Sequence, residues 1–97
     1  MNSSTFDNLI NSVNKTSFTD DQVDLIKTTI QSVRIISARQ VVQLMKLISF
    51  DGAKLEVAKM AYPYTCDRGS YASIVGDALS FSDAKSELNE YIRSQCW

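Results

Sequence analysis

Ser49-Phe50-Asp51-Gly52 is the middle member of three similar tetrapeptides in this chain. Ser-Phe-Thr-Asp stands before it at positions 17–20, and Ser-Phe-Ser-Asp comes after it at positions 80–83. The aromatic residues of the three tetrapeptides, 32 and 31 residues apart, are Phe18, Phe50 and Phe81. A motif that returns every roughly 20–50 residues is typical of stacked supersecondary units. We interpret each tetrapeptide as the start of the second helix in one of three successive helical hairpins.

The first hairpin covers about residues 3–34. Its first helix is predicted from apolar residues at helical spacings, namely Phe6, Leu9, Ile10 and Val13. Thr19 is predicted to be the N-cap of the second helix, with Gln22 completing a capping box. That helix carries its own apolar stripe, which consists of Val23, Ile26, Ile30 and Val33.

The second and third hairpins, about residues 36–62 and 66–95, follow the same pattern. Ser37 is predicted to cap the third helix, which is apolar on most sides and is therefore expected to be the most buried. Asp51 is predicted to cap the fourth helix and Asp67 the fifth. Pro63 is expected to end the fourth helix, because proline lacks the N–H group that a helix needs. The last helix has inward positions at Ala84, Leu88, Tyr91 and Ile92.

The tetrapeptide phenylalanines are interpreted as hydrophobic staples, which pack a residue before the N-cap onto the first turns of the helix. The partners five positions later are Val23 in the first copy, Leu55 in the second and Ser86 in the third. This interpretation buries the Phe50 ring. Truncating a buried phenylalanine leaves a cavity, so Phe50→Ala is expected to cost about 3–5 kcal/mol of stability.

These patterns predict an all-α fold, a compact bundle of about six short helices arranged as three stacked αα-hairpin repeats. A single hairpin could not bury its own apolar stripe, whereas stacked hairpins share one continuous core. No segment shows the period-two alternation of a strand for long enough to compete. The 97 residues are therefore expected to form a single helical domain, residues 1–97.

Composition argues against several classes of function. The formal net charge of -1 gives no support to nucleic-acid binding, which normally shows as a strongly basic patch. No apolar run approaches the ~18 residues needed to span a bilayer, so no transmembrane segment is predicted. The first residues show no signal-peptide pattern, and a cytoplasmic location is expected.

No catalytic, cofactor-binding or metal-binding residue is predicted. The chain has no histidine, the commonest general base and metal ligand. Cys66 and Cys96 are too few for a disulfide scaffold or a closed zinc site, and we interpret both as reduced thiols without a role. Asp51-Gly52 lacks the remaining ligands of a calcium loop. The protein is therefore expected not to be an enzyme; a catalytic site would have to join Cys66 with carboxylates from distant helices.

Two repeated lysines and two aromatic residues are expected at the surface. Lys54 and Lys85 occupy equivalent positions, and we interpret them as exposed first-turn residues whose stems cover the phenylalanine rings. Tyr64 and Trp97 are the aromatic residues outside the helical stripes and are the candidates for exposed partner anchors. No individual residue is assigned to partner binding.

The segments Phe50 to Lys59 and Phe81 to Leu88, and the region from Ser37 through Asp67, carry a resemblance to a known family. They resemble the family catalogued as domain of unknown function 4476, and the resemblance covers nearly the whole chain. It implies a helical domain that occurs alone or appended to larger proteins, without assigned catalytic residues. The first copy departs from the pattern, because Gln22 stands where the later copies have lysine.

The function expected from the sequence is that of a helical protein–protein interaction or structural module without catalytic activity. Its partner would be another protein or a neighbouring domain, and a peptide helix could lie in a groove between hairpins. The alternative is a bundle that binds a small molecule or lipid in an internal cavity. The residues expected to line that cavity are Leu44, Met45, Leu79 and Tyr91.

Overall fold

Six α-helices and two short 3₁₀ turns make up most of residues 1–95, the part of the chain that the computed structural model describes. The helices are α1 (Ser3–Lys15), α2 (Thr19–Val33), α3 (Ala38–Lys46), α4 (Asp51–Ala61), α5 (Tyr71–Gly76) and α6 (Ser82–Ser94). The 3₁₀ turns are Tyr62–Tyr64 and Arg68–Ser70. No β-strand occurs within the described range, and the predicted all-α fold is confirmed. The predictions that concerned Cys96 and Trp97 lie outside the described residues.

Two predicted helix boundaries depend only on local chemistry and are confirmed. At the start of α3, the Gln40 N–H donates to Ser37 Oγ at 3.2 Å, and the Ser37 N–H donates to Gln40 Oε1 at 3.1 Å. This reciprocal pair is the predicted capping box. At the other end of the hairpin, α4 ends at Ala61 and the chain tightens into a 3₁₀ turn that contains Pro63.

The start of α2 differs from its prediction. Phe18, not Thr19, is the N-cap residue, and no side chain caps the helix there. The Gln22 side chain makes no capping box; its Nε2 donates instead to the carbonyls of Val13 and Thr16, both at 3.1 Å. Gln22 therefore closes the turn between α1 and α2, because these carbonyls at the end of α1 need donors.

The helices pack in two groups. In the first group, α4 lies between α2 and α6 and contacts both. In the second group, α3 packs against α5, and α3 also contacts α4 of the first group. The remaining helix, α1, packs against α2. One core cluster runs through both groups, and its largest fully buried side chains are Tyr71, Ile26, Ile30, Ile36, Leu44, Met45, Ile48 and Leu88. Tyr64, expected at the surface, is half-buried and packs against this cluster.

The connection between α2 and α3 lies alongside the connection between α4 and α5. The Ile36 N–H donates to the Tyr64 carbonyl at 3.0 Å, and the Cys66 N–H donates to the Ile36 carbonyl at 3.1 Å. The carboxylate of Asp67 accepts a bond from the Ala38 N–H at 2.8 Å. The predicted role of Asp67 as cap of the fifth helix is thus wrong, because its oxygen satisfies a free N–H at the start of α3.

Candidate partner-binding surface

The three tetrapeptide phenylalanines are exposed, and their prediction as buried staples is wrong. Phe18 is 72% exposed, Phe50 65% and Phe81 66%. Each is itself the N-cap residue of α2, α4 or α6, with extended backbone and φ between -103° and -100°. A staple uses the residue before the N-cap, so a helix that begins one residue after the phenylalanine leaves the ring outside.

Because the ring is exposed, Phe50→Ala should change the free energy of unfolding by less than about 1 kcal/mol. Urea denaturation of the variant and the parent protein measures this change. A loss of 3 kcal/mol or more, as expected for a cavity in the core, would show instead that the ring is buried in solution.

One ion pair links α2 to α4 and another links α4 to α6, at equivalent positions along the chain. Lys27 Nζ lies 2.9 Å from Glu56 Oε1, and Lys59 Nζ lies 3.0 Å from Glu87 Oε2. Each lysine is nine positions after one tetrapeptide phenylalanine, and each glutamate is six positions after the next. Together with the bonds that Asp51 accepts from the Ser80 and Phe81 N–H groups, the second pair places the starts of α4 and α6 side by side. Phe50 and Phe81 line one groove there and mark an edge, here called the phenylalanine edge; Phe18 has the equivalent N-cap position at the start of α2.

Asp51 joins the starts of α4 and α6 at this edge. It was predicted to be an N-cap, but it is the first residue of α4 and its carboxylate points across the hairpins. The carboxylate accepts bonds from the Ser80 and Phe81 N–H groups, each at 3.2 Å. These N–H groups precede the first turn of α6, so Asp51 fixes the position of the Phe81 backbone.

Removal of this link by Asp51→Ala should lower the free energy of unfolding by about 1–2 kcal/mol, since a charged acceptor for two backbone donors is lost. The matched control is Asp83→Ala, which removes an exposed first-turn carboxylate from α6 and should cost about 0.3–1 kcal/mol. Urea denaturation measures both variants. Equal losses in the two would contradict a specific role for Asp51.

A groove of about 490 Å³ lies between α4 and α6 at the phenylalanine edge. Its apolar lining consists of Phe50, Leu55, Phe81 and Ala84, with Gly52 beside them. Three carboxylates complete the lining, those of Asp51, Asp83 and Glu87. Leu55 is nearly buried whereas both phenylalanines are exposed, so the groove has an apolar floor between two aromatic walls. An acidic rim around an apolar depression suits an apolar side chain with cationic neighbours.

The corresponding groove between α2 and α4 is smaller and more polar. It measures about 220 Å³, and its lining residues are Asp20, Val23, Asp24, Lys27 and Glu56. No phenylalanine lines it. The two grooves therefore differ in chemistry although the helices that form them pack in the same register, and the α4–α6 groove is the better candidate for an apolar ligand group.

The outer face of α6 explains why the third tetrapeptide copy differs from the others. Val23 and Leu55 face the next helix of the group and are buried. Ser86, at the equivalent position of α6, is exposed. Nine positions after Phe81, where the first two copies have the paired lysines Lys27 and Lys59, α6 has the exposed Glu90. Polar residues suit the last helix of a stack, since no further helix covers it within the described residues.

The other residues considered from the sequence do not form a second site. Leu44 and Met45 are fully buried, Leu79 is nearly so, and Tyr91 is half-buried on α6. Cys66 is exposed, and its Sγ lies 4.0 Å from Asp67 Oδ1. Among residues 1–95, no three cysteine, aspartate or glutamate side chains gather in a way that could hold a metal ion. No helix in that range is both long enough and apolar enough to cross a membrane.

The two repeated lysines differ in their surroundings. Lys54 is half-buried in α4, whereas Lys85 is exposed in α6. Their backbone N–H groups donate to the carbonyls of Phe50 and Phe81, at 3.0 and 3.1 Å. The Gln22 N–H makes the same bond to Phe18 at 3.0 Å. The equivalence of these positions is thus one of backbone geometry.

The exposure of the phenylalanines was not predicted from the sequence, although the residue five positions after Phe81 indicated it. Ser86 cannot act as an apolar staple partner, so the third copy offered no buried contact for Phe81. This mismatch means that a staple contact could not explain the position of Phe81.

Comparison with known proteins places the chain in a family. No curated protein and no solved structure matches it. The family described as "Domain of unknown function (DUF4476)" matches residues 1–92, almost the whole chain. The resemblance seen in the sequence is thereby confirmed, and the protein belongs to the DUF4476 family.

Proposed function

We propose that the protein is a helical protein-interaction module that binds its partner at the phenylalanine edge. The observation that carries this proposal is the exposure of Phe50 and Phe81, which line one groove between α4 and α6, with Phe18 equally exposed at the start of α2. Single exposed apolar residues are ordinary, but two exposed aromatic rings that line one groove form an apolar surface of the kind that partners cover.

The contacts between the helices that form the edge support the proposal. The lysine–glutamate pairs tie α2 to α4 and α4 to α6, and Asp51 fixes the start of α6. Three stacked hairpins, as the repeated tetrapeptides suggest, would present the rings in a preformed arrangement. Preformed surfaces bind with less loss of conformational entropy than surfaces that must be ordered on binding.

The proposal includes no catalytic activity. Its support lies in the sequence, which contains no histidine, and in the chemistry of the edge, which combines aromatic rings and carboxylates without an aligned nucleophile and base. Binding of a small molecule or lipid is the other function considered. The α4–α6 groove is open at the surface, a shape that suits a side chain of a protein partner better than an enclosed ligand.

Affinity capture from the native lysate tests the proposal, with proteins and small molecules both identified by mass spectrometry. The bait is the folded chain, and the matched variant is Phe50→Ser with Phe81→Ser, which removes exposed rings only. A stoichiometric protein that is retained by the parent chain and lost from the variant is expected. Equal retention by both would place the partner elsewhere, and a bound lipid or metabolite without a protein would replace the proposal by its alternative.

A further inference from the structure

We infer that the α4–α6 groove recognises a basic amphipathic helix, which inserts an apolar side chain between Phe50 and Phe81. This inference rests on the proposed function and adds the chemical class of the partner. Three observations carry it, namely the apolar depression, the sign of the charge around it and the parallel arrangement of the two helices that form it.

The depression suits one large apolar side chain. Its floor is Leu55, 9% exposed, and Ala84, and its two walls are the exposed rings of Phe50 and Phe81. Burial of apolar surface favours association, and an aromatic or aliphatic anchor in such a pocket is the usual centre of a protein interface. The partner residue expected here is leucine, isoleucine, methionine or phenylalanine.

The charge around the depression is acidic. Asp51, Asp83 and Glu87 line the groove, and no lysine or arginine does. Glu87 is paired with Lys59 through Oε2, and Asp51 already accepts two backbone bonds, but each carboxylate offers further acceptor sites. A cationic side chain of the partner can bind them and can also lie against a phenylalanine ring.

A second groove carries the opposite charge and provides an internal comparison. It lies between α3 and α5, and its lining residues are Arg39, Val42, Gln43, Lys46 and Ile74. Its volume is about 190 Å³, and its charged residues are both basic. An acidic peptide would therefore be attracted to the α3–α5 groove, whereas a basic peptide would be attracted to the phenylalanine edge.

A helical partner fits the dimensions of the site. The groove is bounded by the first turns of two parallel helices, from Phe50 to Leu55 and from Phe81 to Glu87. At 1.5 Å per residue, these boundaries are about 8–9 Å long, which matches about one and a half helical turns. An amphipathic helix places its anchors at i, i+3 and i+4, so one turn can provide an apolar anchor and its cationic neighbours.

Selection from a phage-displayed library of 16-residue peptides tests the inference without knowledge of the native partner. The library is selected on the parent chain and counter-selected on the Phe50→Ser, Phe81→Ser variant. Phe18→Ser is the matched control, since it removes an equally exposed ring that does not line the groove. Selected peptides are synthesised, and their affinities are measured by fluorescence anisotropy.

The expected peptides carry one large apolar residue with lysine or arginine at i±3 or i±4. Their affinity should fall at least about 10-fold for the Phe50→Ser, Phe81→Ser variant and should change less than about 2-fold for Phe18→Ser. Asp83→Asn with Glu87→Gln should also weaken binding and reduce its dependence on salt.

Acidic selected peptides, no enrichment over the counter-selected variant, or equal binding to both phenylalanine variants would each overturn the inference. These results are separable from failure of the proposed function. A native protein captured through Phe50 and Phe81 would uphold the proposed function even if no basic helix binds. A captured protein that is retained equally by the Phe50→Ser, Phe81→Ser variant would contradict the proposed function itself.

Discussion

Leu88→Ala is expected to lower the free energy of unfolding by about 2–5 kcal/mol, because a large aliphatic side chain is removed from a fully buried site. Leu88 is the only fully buried residue of α6. It lies in the core cluster, and α6 packs against both α4 and α5. A domain of this size is stable by only about 5–15 kcal/mol, so the change is a large part of the total.

The loss should be concentrated in α6. The helix has few other apolar anchors, the half-buried Ala84, Tyr91 and Ile92. Hydrogen exchange is expected to show faster exchange for α6 amides than for α2 amides in the variant, since local unfolding begins where buried contacts are fewest. Ser86→Ala is the control on the same helix, because Ser86 is exposed and its replacement should change stability by less than about 0.5 kcal/mol. A Leu88→Ala loss below 1 kcal/mol would mean that α6 is not anchored by this residue.

The second large effect is a loss of stability at alkaline pH that depends on Tyr71. Its side chain is fully buried, and its hydroxyl donates to the Ala58 carbonyl. Burial raises the pKa of Tyr71 far above its ordinary value of about 10, and the neighbouring Tyr91 and Tyr62 rings add to the increase in pKa. The phenol therefore stays protonated in the folded state at pH values where the unfolded chain loses the proton.

The sign of the effect follows from proton binding. Above about pH 10 the folded state binds more protons at Tyr71 than the unfolded state, so stability falls by about 1.4 kcal/mol per pH unit. Below pH 10 both states hold the proton, and the contribution is independent of pH. At pH 11.5 the expected loss is about 2 kcal/mol relative to pH 8.

Tyr71→Phe isolates this contribution, since all other titrating groups are shared with the parent protein. At pH 8 the variant should be less stable by about 0.5–1.5 kcal/mol, because the bond to the Ala58 carbonyl is lost. The difference should shrink above pH 10, and the order of the two stabilities should reverse between about pH 10 and pH 11. Urea denaturation monitored by circular dichroism from pH 8 to 11.5 measures both curves. Parallel curves would mean that Tyr71 is accessible to ionisation in the folded state.

Features that depend on neighbouring positions of one helix were predictable. The apolar stripes at spacings of three and four gave α1 and α2, because a helix brings such positions onto one face wherever it packs. The capping box of Ser37 and Gln40 was likewise predictable, since it joins residues three positions apart. Val23 and Leu55 are buried as the stripes suggested.

The hydrogen-bond donors to the Asp51 and Asp67 carboxylates were not predictable in the same way. Asp51 and Asp67 stand where a local cap is favourable, yet each accepts bonds from N–H groups 29 or 30 residues away. A carboxylate can satisfy donors of its own helix or of a neighbouring helix, and the choice depends on which donors packing brings within reach. One sequence pattern therefore fits two structures.

The apolar stripes and helix starts were sufficient to indicate an all-α fold, because both are encoded within a few residues of one another. The exposure of the phenylalanine rings could be read only from the tertiary structure. A helix start shifted by one residue turned Phe50 from a buried staple into a wall of the α4–α6 groove. The groove itself, with Phe81 opposite and Glu87 at its rim, exists only because α4 and α6 pack in parallel, an arrangement that depends on contacts between segments about 30 residues apart.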